Sequence, residues 1–471
     1  MTLAHDSPDP SPSEKPEPGP SSPTSGWYLV RADSPLVFFS GKPRGAAEGP
    51  ADDGGLPLPW PGTLAGGVRA AWADATDYFS RCGGGHGDPA VHQALLGGLG
   101  VTGPLVGELS DDGCVAPLAP VPRDALRHWR AFDGSAVWTA LQPRPHGESA
   151  LTSLPQGLLP LISTVEPDDA MDSAPPFWTW LRFIDWLADD QFDALEETAG
   201  YHRIGFARDL RTHHQRDEKR GIAAEQMLFQ SPGLDGAPED WDSSPDPRQR
   251  VLLSHVSGAT ARFDPAAIDG TVRRLGGEGR SPRYRRVADG DPTPSRGNGQ
   301  RPGYVWEAGL RPDVCPPFIQ ERLGQLRKGD LIRLVLVTPA VFVDGSALPF
   351  LNHHGYGTLP GGTKVSLVAM TNDRWKPYAQ HRMVALSKGV RGVQELRRVM
   401  QAGAVYWLRL EEMPSGDRLA AALWFKSVCV GQAALDGWGV AVVGLAPGAT
   451  ESLTTDAAAA AANQVQTVSH P

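Results

Sequence analysis

The chain has 471 residues, 40% of them hydrophobic and 21% charged, enough to bury a sizeable core and to build two domains. A formal net charge of −10 excludes a uniformly basic surface, so any nucleic-acid contact has to come from local basic patches on an acidic body. The four cysteines (Cys82, Cys114, Cys315, Cys429) form no C-x-x-C pair, which speaks against a cysteine zinc site and a disulfide framework and suits a reducing, cytoplasmic setting.

In chain order, residues 1–25 are rich in Pro, Ser, Asp and Glu, with no apolar core of a signal peptide, and read as a disordered tail. A strand is predicted over Trp27–Arg31, followed by an Asp-Ser-Pro-Leu turn and a Gly-Lys-Pro-Arg loop. A Pro-rich approach leads to a helix over Thr63–Trp72, with Thr63 as its cap and small residues that permit close packing on a sheet. A long, partly helical region follows, in which PFWTWLRFIDWL (Pro176–Leu187) has the spacing of an amphipathic helix. Strands are predicted over Arg203–Ala207 and Glu225–Phe229, joined by a long, basic, polar loop, then over Val251–Ser257 and Arg283–Val287. Gly233–Pro247 and Asp289–Gly303 read as loops.

The second half predicts strands over Leu331–Phe342 (interrupted by Pro339), Lys364–Thr371, Ala404–Glu412 and Gly437–Gly444. Helices are predicted over Gly392–Gly403, with Gly403 at its C-terminal cap, and over Ser415–Val428, with Ser415 at its start. Residues 451–471 form a second low-complexity tail. These elements fit an α+β protein with two RRM/ferredoxin-like domains and helical insertions. The expected boundaries are 26–290 and 303–448.

Two regions are locally basic. Between Thr271 and Asp289 six arginines face only Glu278 and Asp289; between Lys364 and Met400 Lys and Arg heavily outnumber Asp373 and Glu395. RRLGGEGR (Arg273–Arg280) combines such charge with a glycine-rich turn whose backbone amides can approach phosphate oxygens. It lacks the G-x-G-x-x-G spacing of a dinucleotide site. GTLPGGTKVS (Gly357–Ser366) is not a P-loop, because Thr363 stands where the lysine must follow Gly362. The adjacent pairs His213-His214 and His353-His354 make no metal site alone, since neighbouring side chains diverge.

The ordered series of motifs resembles the CRISPR-associated RAMP proteins, and looks closest to the third subunit of type III-B Cmr effector complexes. The segments that carry the resemblance are GWYLVRADSPLVFFSGKPRG, LPLPWPGTLAGGVRAAW, GVTGPLVGELSDDGCVAPLAPVPRDAL, HRIGFARD with AAEQMLF, RRLGGEGR, LVLVTPAVF, AGAVYWL and GWGVAVVG, spanning residues 26–446. Arg44-Gly45 stands where the family often has an aromatic, and the region around Trp375 lacks the family's Gly-Trp pair.

The resemblance implies a non-catalytic scaffold with no cofactor or metal. Its partners would be the 5′ tag of a guide crRNA, the large Palm-domain Cas subunit and the neighbouring backbone RAMP subunit, and not a membrane. Single-strand RNA recognition then assigns contacts to Lys42 and Arg44 in the first loop and to Thr63 and Arg69 on the first helix. Arg203, Arg208, Arg211 and Arg216 follow from the mobile loop, and Arg273, Arg274, Gly276, Gly277 and Arg280 from the glycine-rich loop. Arg69 can equally be a structural salt-bridge partner. The alternative is a RAMP endoribonuclease that matures guide RNA, for which His202, His213, His214 and His255 are the candidate bases.

Overall fold

The computed structural model describes residues 24–39, 55–83, 88–129, 136–144, 154, 157–163, 176–188, 195–196, 202–203, 205–216, 223–237, 248–277, 279–289, 303–378, 381–382, 392–393, 397–414 and 416–446. The fold is mixed α+β, rich in strands, with several sheets and few helices.

Eight strands form its frame: β1 (Ser25–Arg31), β2 (Leu99–Leu109), β3 (Gln249–Gly258), β4 (Arg283–Ala288), β5 (Leu331–Leu336), β6 (Lys364–Thr371), β7 (Val405–Leu410) and β8 (Val440–Leu445). In the first sheet they run β4-β1-β3-β2, each neighbour antiparallel. Cys114–Pro120 pairs with β2, and Tyr304–Trp306 lies parallel to both Cys114–Pro120 and β4, so the first sheet closes on itself. In the second sheet the order is β6-β7-β5-β8, again antiparallel. All six residues of β5 and of β8 are buried, which is why VAVVGL reads as an unbroken apolar run and LIRLVL as one broken only by Arg333.

Helix α1 (Pro61–Ala75) packs on β2 and on the 3-10 turn Pro265–Ile268. It starts earlier than predicted. Pro61, with its φ preset for a helix, occupies the first turn and Trp60 the cap position, so Thr63 is an exposed residue within the helix. Gly67 meets Leu275 and Tyr284: an added Cβ would stand 2.7 Å from Leu275 Cδ1.

Other expectations change as well. The region between Trp72 and Leu187 holds helices, α2 (Pro89–Gly98) and α3 (Trp180–Ala188) among them, and also four strands that were not expected (Leu99–Leu109, Cys114–Pro120, Ala125–Trp129, Ala136–Pro143). Within PFWTWLRFIDWL, Phe177–Thr179 is a strand on Leu118–Pro120 and the helix begins at Trp180. The basic segment expected as a loop is a strand, Ala207–Arg216, paired with Ala223–Asp235 from Ala207↔Asp235 onward. The apolar partner strand imposes its backbone ladder on polar side chains of indifferent propensity. Gly392–Gly403 is not a helix: Gly392–Val393 and Arg397–Met400 are strands, the latter burying Val399 and Met400 against Ala340–Val341. Gly403 does take a positive φ of 88°, in a turn where its N–H donates to the Leu336 carbonyl at 2.7 Å. Ser415 and the two tails lie outside the described residues, apart from Thr24 and Ser25.

One apolar core runs through both sheets, and two buried ion pairs cross between them. Arg333 of β5 donates to Asp124 at 2.9 Å, to the Leu445 carbonyl at 2.5 Å and to the Trp186 carbonyl at 2.6 Å, while Trp186 Nε1 donates to the other Asp124 oxygen at 3.1 Å. Arg69 of α1 donates to Asp436 at 2.5 Å and to the carbonyls of Leu99 and Leu435. Among the described residues no helix is long and apolar enough to cross a membrane.

Candidate nucleic-acid interface

Three segments distant in sequence meet beside β1. The residues after the Asp-Ser-Pro turn form a short strand, Leu36–Val37, that pairs with Gly233 and Leu234 at the base of the long hairpin. On its other side the glycine-rich loop docks on the same strand, with the Gly277 N–H donating to the Val37 carbonyl at 2.8 Å. The loop closes on itself through Leu275 N–H to the Arg280 carbonyl at 2.9 Å. Gly276 has φ 78°, and an added Cβ would run into the Val37 carbonyl and come within 2.7 Å of the Phe38 ring. Only glycine fits this approach. Gly276→Ala is therefore expected to cost about 1–2 kcal/mol in stability and to lift the loop off Val37; thermal unfolding and RNA titration of the variant check both effects.

Arg274 is exposed and pairs with no described carboxylate. Arg273 is half-exposed and reaches Asp74 of α1 at 2.5 Å. Arg280 is half-buried. On the hairpin Arg208 is exposed, opposite Leu234, and Arg211 is half-buried against Asp209 at 2.6 Å. Arg216 lies further along the same strand, opposite Ala223. Arg203 lies elsewhere, on the outer strand His202–Arg203 of the first sheet, opposite Phe177. Thr63 is exposed on the first turns of α1. Lys42 and Arg44 lie outside the described residues, a few positions beyond Phe39 on the segment that leaves this junction.

Two expectations need correction. Arg69 is 4% exposed and its guanidinium is consumed by Asp436 and two carbonyls, so its place is structural. The Gly277 amide is consumed by Val37 and has nothing left for a phosphate. Sequence reasoning passed over the strand Leu36–Val37, which organises the junction; its signal was the apolar run LVFF directly after Pro35. It counted Arg283 and Arg286 in the basic region without assigning them a contact; both are exposed on β4, beside buried Tyr284 and Val287.

The sequence model of a CRISPR-associated protein family, Cas_Cmr3, matches residues 28–446. The chain belongs to this family. The Cas_Cmr3 match covers both sheets and all three segments of the junction. Among solved structures the chain is similar to one from a type III-B Cmr-beta complex bound to cognate target RNA and AMPPnP, with TM-score 0.37, 11% identity, and 81% of this chain and 86% of that one covered. It is also similar to one from the type III-B Cmr-beta complex bound to cognate target RNA, with TM-score 0.37, 12% identity and the same coverage. No curated protein matches.

Of the histidines weighed as general bases in this Cas_Cmr3 chain, His255 is the one whose side chain is described. It sits on β3 against the Trp27 ring, 5.3 Å between centroids. Burial, with Arg311 and Lys426 adding to it against the opposing Asp313, pushes its pKa below 6.5. The unfolded chain thus binds this proton more readily than the folded one, and the contribution of neutral His255 to stability is lost as pH falls below about 6.5. Urea melts of wild type and His255→Gln between pH 7.5 and 5 are expected to converge at the acid end.

Proposed function

We propose that the chain is a non-catalytic structural subunit of a type III-B CRISPR (Cmr) RNA-guided effector complex in antiviral defence. It holds the 5′ tag of the guide crRNA, docks on the large Palm-domain Cas subunit, abuts the neighbouring backbone RAMP subunit, and works in the cytoplasm. The observation that carries this proposal is the junction around Val37 in a chain of the Cas_Cmr3 family. It joins the base of the hairpin that carries Arg208 to the glycine-rich loop that carries Arg273 and Arg274, with Gly276 exposed.

Single-stranded RNA needs this combination: cations for phosphates and open backbone for close approach. Gly276 offers that backbone, since its amide donates to no described residue. Arg211, Arg216 and Arg280 flank the contact, Thr63 lines its helical side, and Gly277 pins the loop. Arg203 would contact RNA or partner from its separate edge.

We also propose two RRM/ferredoxin-like units, 26–290 and 303–448. The strand orders β4-β1-β3-β2 and β6-β7-β5-β8 support this, because each is a fourth-first-third-second arrangement in chain order with antiparallel neighbours. Tyr304–Trp306 crosses the proposed boundary to complete the first sheet.

Purification of the tagged protein from its host, with sequencing of bound RNA and mass spectrometry of bound proteins, tests the proposal. Guide-sized RNAs sharing one repeat-derived 5′ end, together with a large Cas subunit, are expected. Protein free of RNA and of Cas partners, or cleavage of repeat RNA by the isolated chain, would refute it.

A further inference from the structure

A second basic surface stands on the ribbon that follows β6. Strand Lys376–Tyr378 pairs antiparallel with Arg397–Met400. The inner side of this ribbon is fixed to the core: Val399 and Met400 are buried, and the Tyr378 ring packs on Trp438 and Trp60 at 4.7 and 5.7 Å between centroids. The loop entering it is tied at its start. Asn372 Oδ1 accepts the Gln401 N–H at 3.4 Å, and Asp373 pairs with Arg123 at 3.2 Å.

What this rigid base presents to solvent is unusual for the molecule. Trp375 is 50% exposed, whereas every other tryptophan with a described side chain is 6% exposed or less. Arg398 lies over the Trp375 ring, its guanidinium 5.1 Å from the centroid. Arg374, Lys376 and Arg397 are exposed around it. Leaving half an indole in water forgoes a large apolar burial.

We propose that Trp375 and Arg398 form a stacking site for a base of single-stranded RNA, with Arg374, Lys376 and Arg397 holding the adjoining phosphates. An indole held open on a rigid ribbon accepts any base by its π-face, and a guanidinium beside it adds a cation–π contribution. An acidic protein surface would need the cations but not the presented ring. The site is separate from the Val37 junction but close to it. Trp60, which anchors the ribbon, precedes by two turns on α1 the Gly67 that anchors the glycine-rich loop, a separation of about 10 Å along the helix. One strand of RNA can therefore run from the junction past Thr63 to Trp375.

The test is equilibrium titration of the full-length protein with a fluorescein-labelled single-stranded oligoadenylate, and with an RNA duplex of the same length. Wild type is expected to favour the single strand. Trp375→Ala should lose about tenfold in affinity for the single strand, with the deficit persisting at high salt because stacking is not screened. Trp375→Phe should retain most of the binding, and Arg398→Ala should fall between. Thermal unfolding of all three should match wild type, since the side chains are exposed. The Trp375→Ala deficit should survive in an Arg273→Ala/Arg274→Ala background, which separates this site from the junction. Equal binding by wild type and Trp375→Ala, equal loss on single strand and duplex, or loss of a protein partner without loss of RNA would overturn it. Guide RNA recovered from the host with an unchanged Trp375→Ala titration would overturn this site alone; the deficit without recovered guide RNA would overturn the tag-holding role alone.

Discussion

Asp124→Ala is expected to destabilise the protein by about 3–5 kcal/mol, the usual cost of leaving a buried charge without its partner. Asp124 and Arg333 are both 0% exposed, so the stranded guanidinium has no route to water. Trp186 loses its acceptor in the same step, because its indole N–H donates to the second Asp124 oxygen. Arg333→Met should cost a comparable amount. The double variant Asp124→Leu/Arg333→Met should recover part of the loss, since it leaves no charge behind. Denaturant midpoints of the three variants check this. An Asp124→Ala loss within about 1 kcal/mol would show that water or another group replaces the carboxylate. The pair matters for function because Asp124 and Trp186 belong with the first sheet and Arg333 with the second. It fixes how the glycine-rich loop and the Trp375 ribbon stand relative to one another.

Reversing Arg208, Arg273 and Arg274 together to glutamate is expected to lower affinity for guide RNA by about a hundredfold near physiological salt. The salt dependence should change as well. Each phosphate contact on a single strand contributes about 0.7 to the slope of log K against log salt, so the triple variant should lose about 2 from it. Arg273 should contribute least, because Asp74 already neutralises part of its charge. Stability should be nearly unchanged, since all three side chains are largely in solvent. Titrations of labelled guide RNA at stepped salt concentrations check the result; an unchanged slope would mean that phosphates do not lie on this surface.

The strands of the frame were legible in the sequence because burial on both faces leaves an apolar run that no loop tolerates. Lys364–Thr371 is a strand over the predicted residues, Val405–Leu410 falls inside its predicted span, and Val440–Leu445 overlaps its span and ends one residue beyond it. The elements that escaped were decided by contacts between distant segments. Arg208–Arg216 carries polar side chains and takes its strand conformation from the partner across the hairpin. Arg397–Met400 sits in a helix-like pattern, but Val399 and Met400 are buried in a strand that pairs with Ala340–Val341 on one side and Lys376–Tyr378 on the other. The cap of α1 was misplaced because Pro61 outweighs Thr63 in starting a helix.

At the candidate site the residue types were readable and their accessibility was not. Arg69 and Arg274 look alike in sequence, yet one is enclosed by Asp436 and two carbonyls and the other faces solvent. The meeting of Val37, the hairpin base and the glycine-rich loop depends on pairings between residues about 200 or more positions apart along the chain, and no local pattern encodes it. Trp375 drew notice only as a departure from the family's Gly-Trp pair; its exposure and its contact with Arg398 are tertiary facts.

The central claim is that the Val37 junction holds the 5′ end of a guide RNA. Photocrosslinking in the assembled complex, with 4-thiouridine placed in the repeat-derived tag of the guide, tests it most directly. Crosslinked peptides from this chain should come from the glycine-rich loop around Arg273–Arg280, the hairpin strand Ala207–Arg216 and the segment with Lys42 and Arg44. Crosslinks from the tag confined to other subunits, with none on this chain, would contradict the claim.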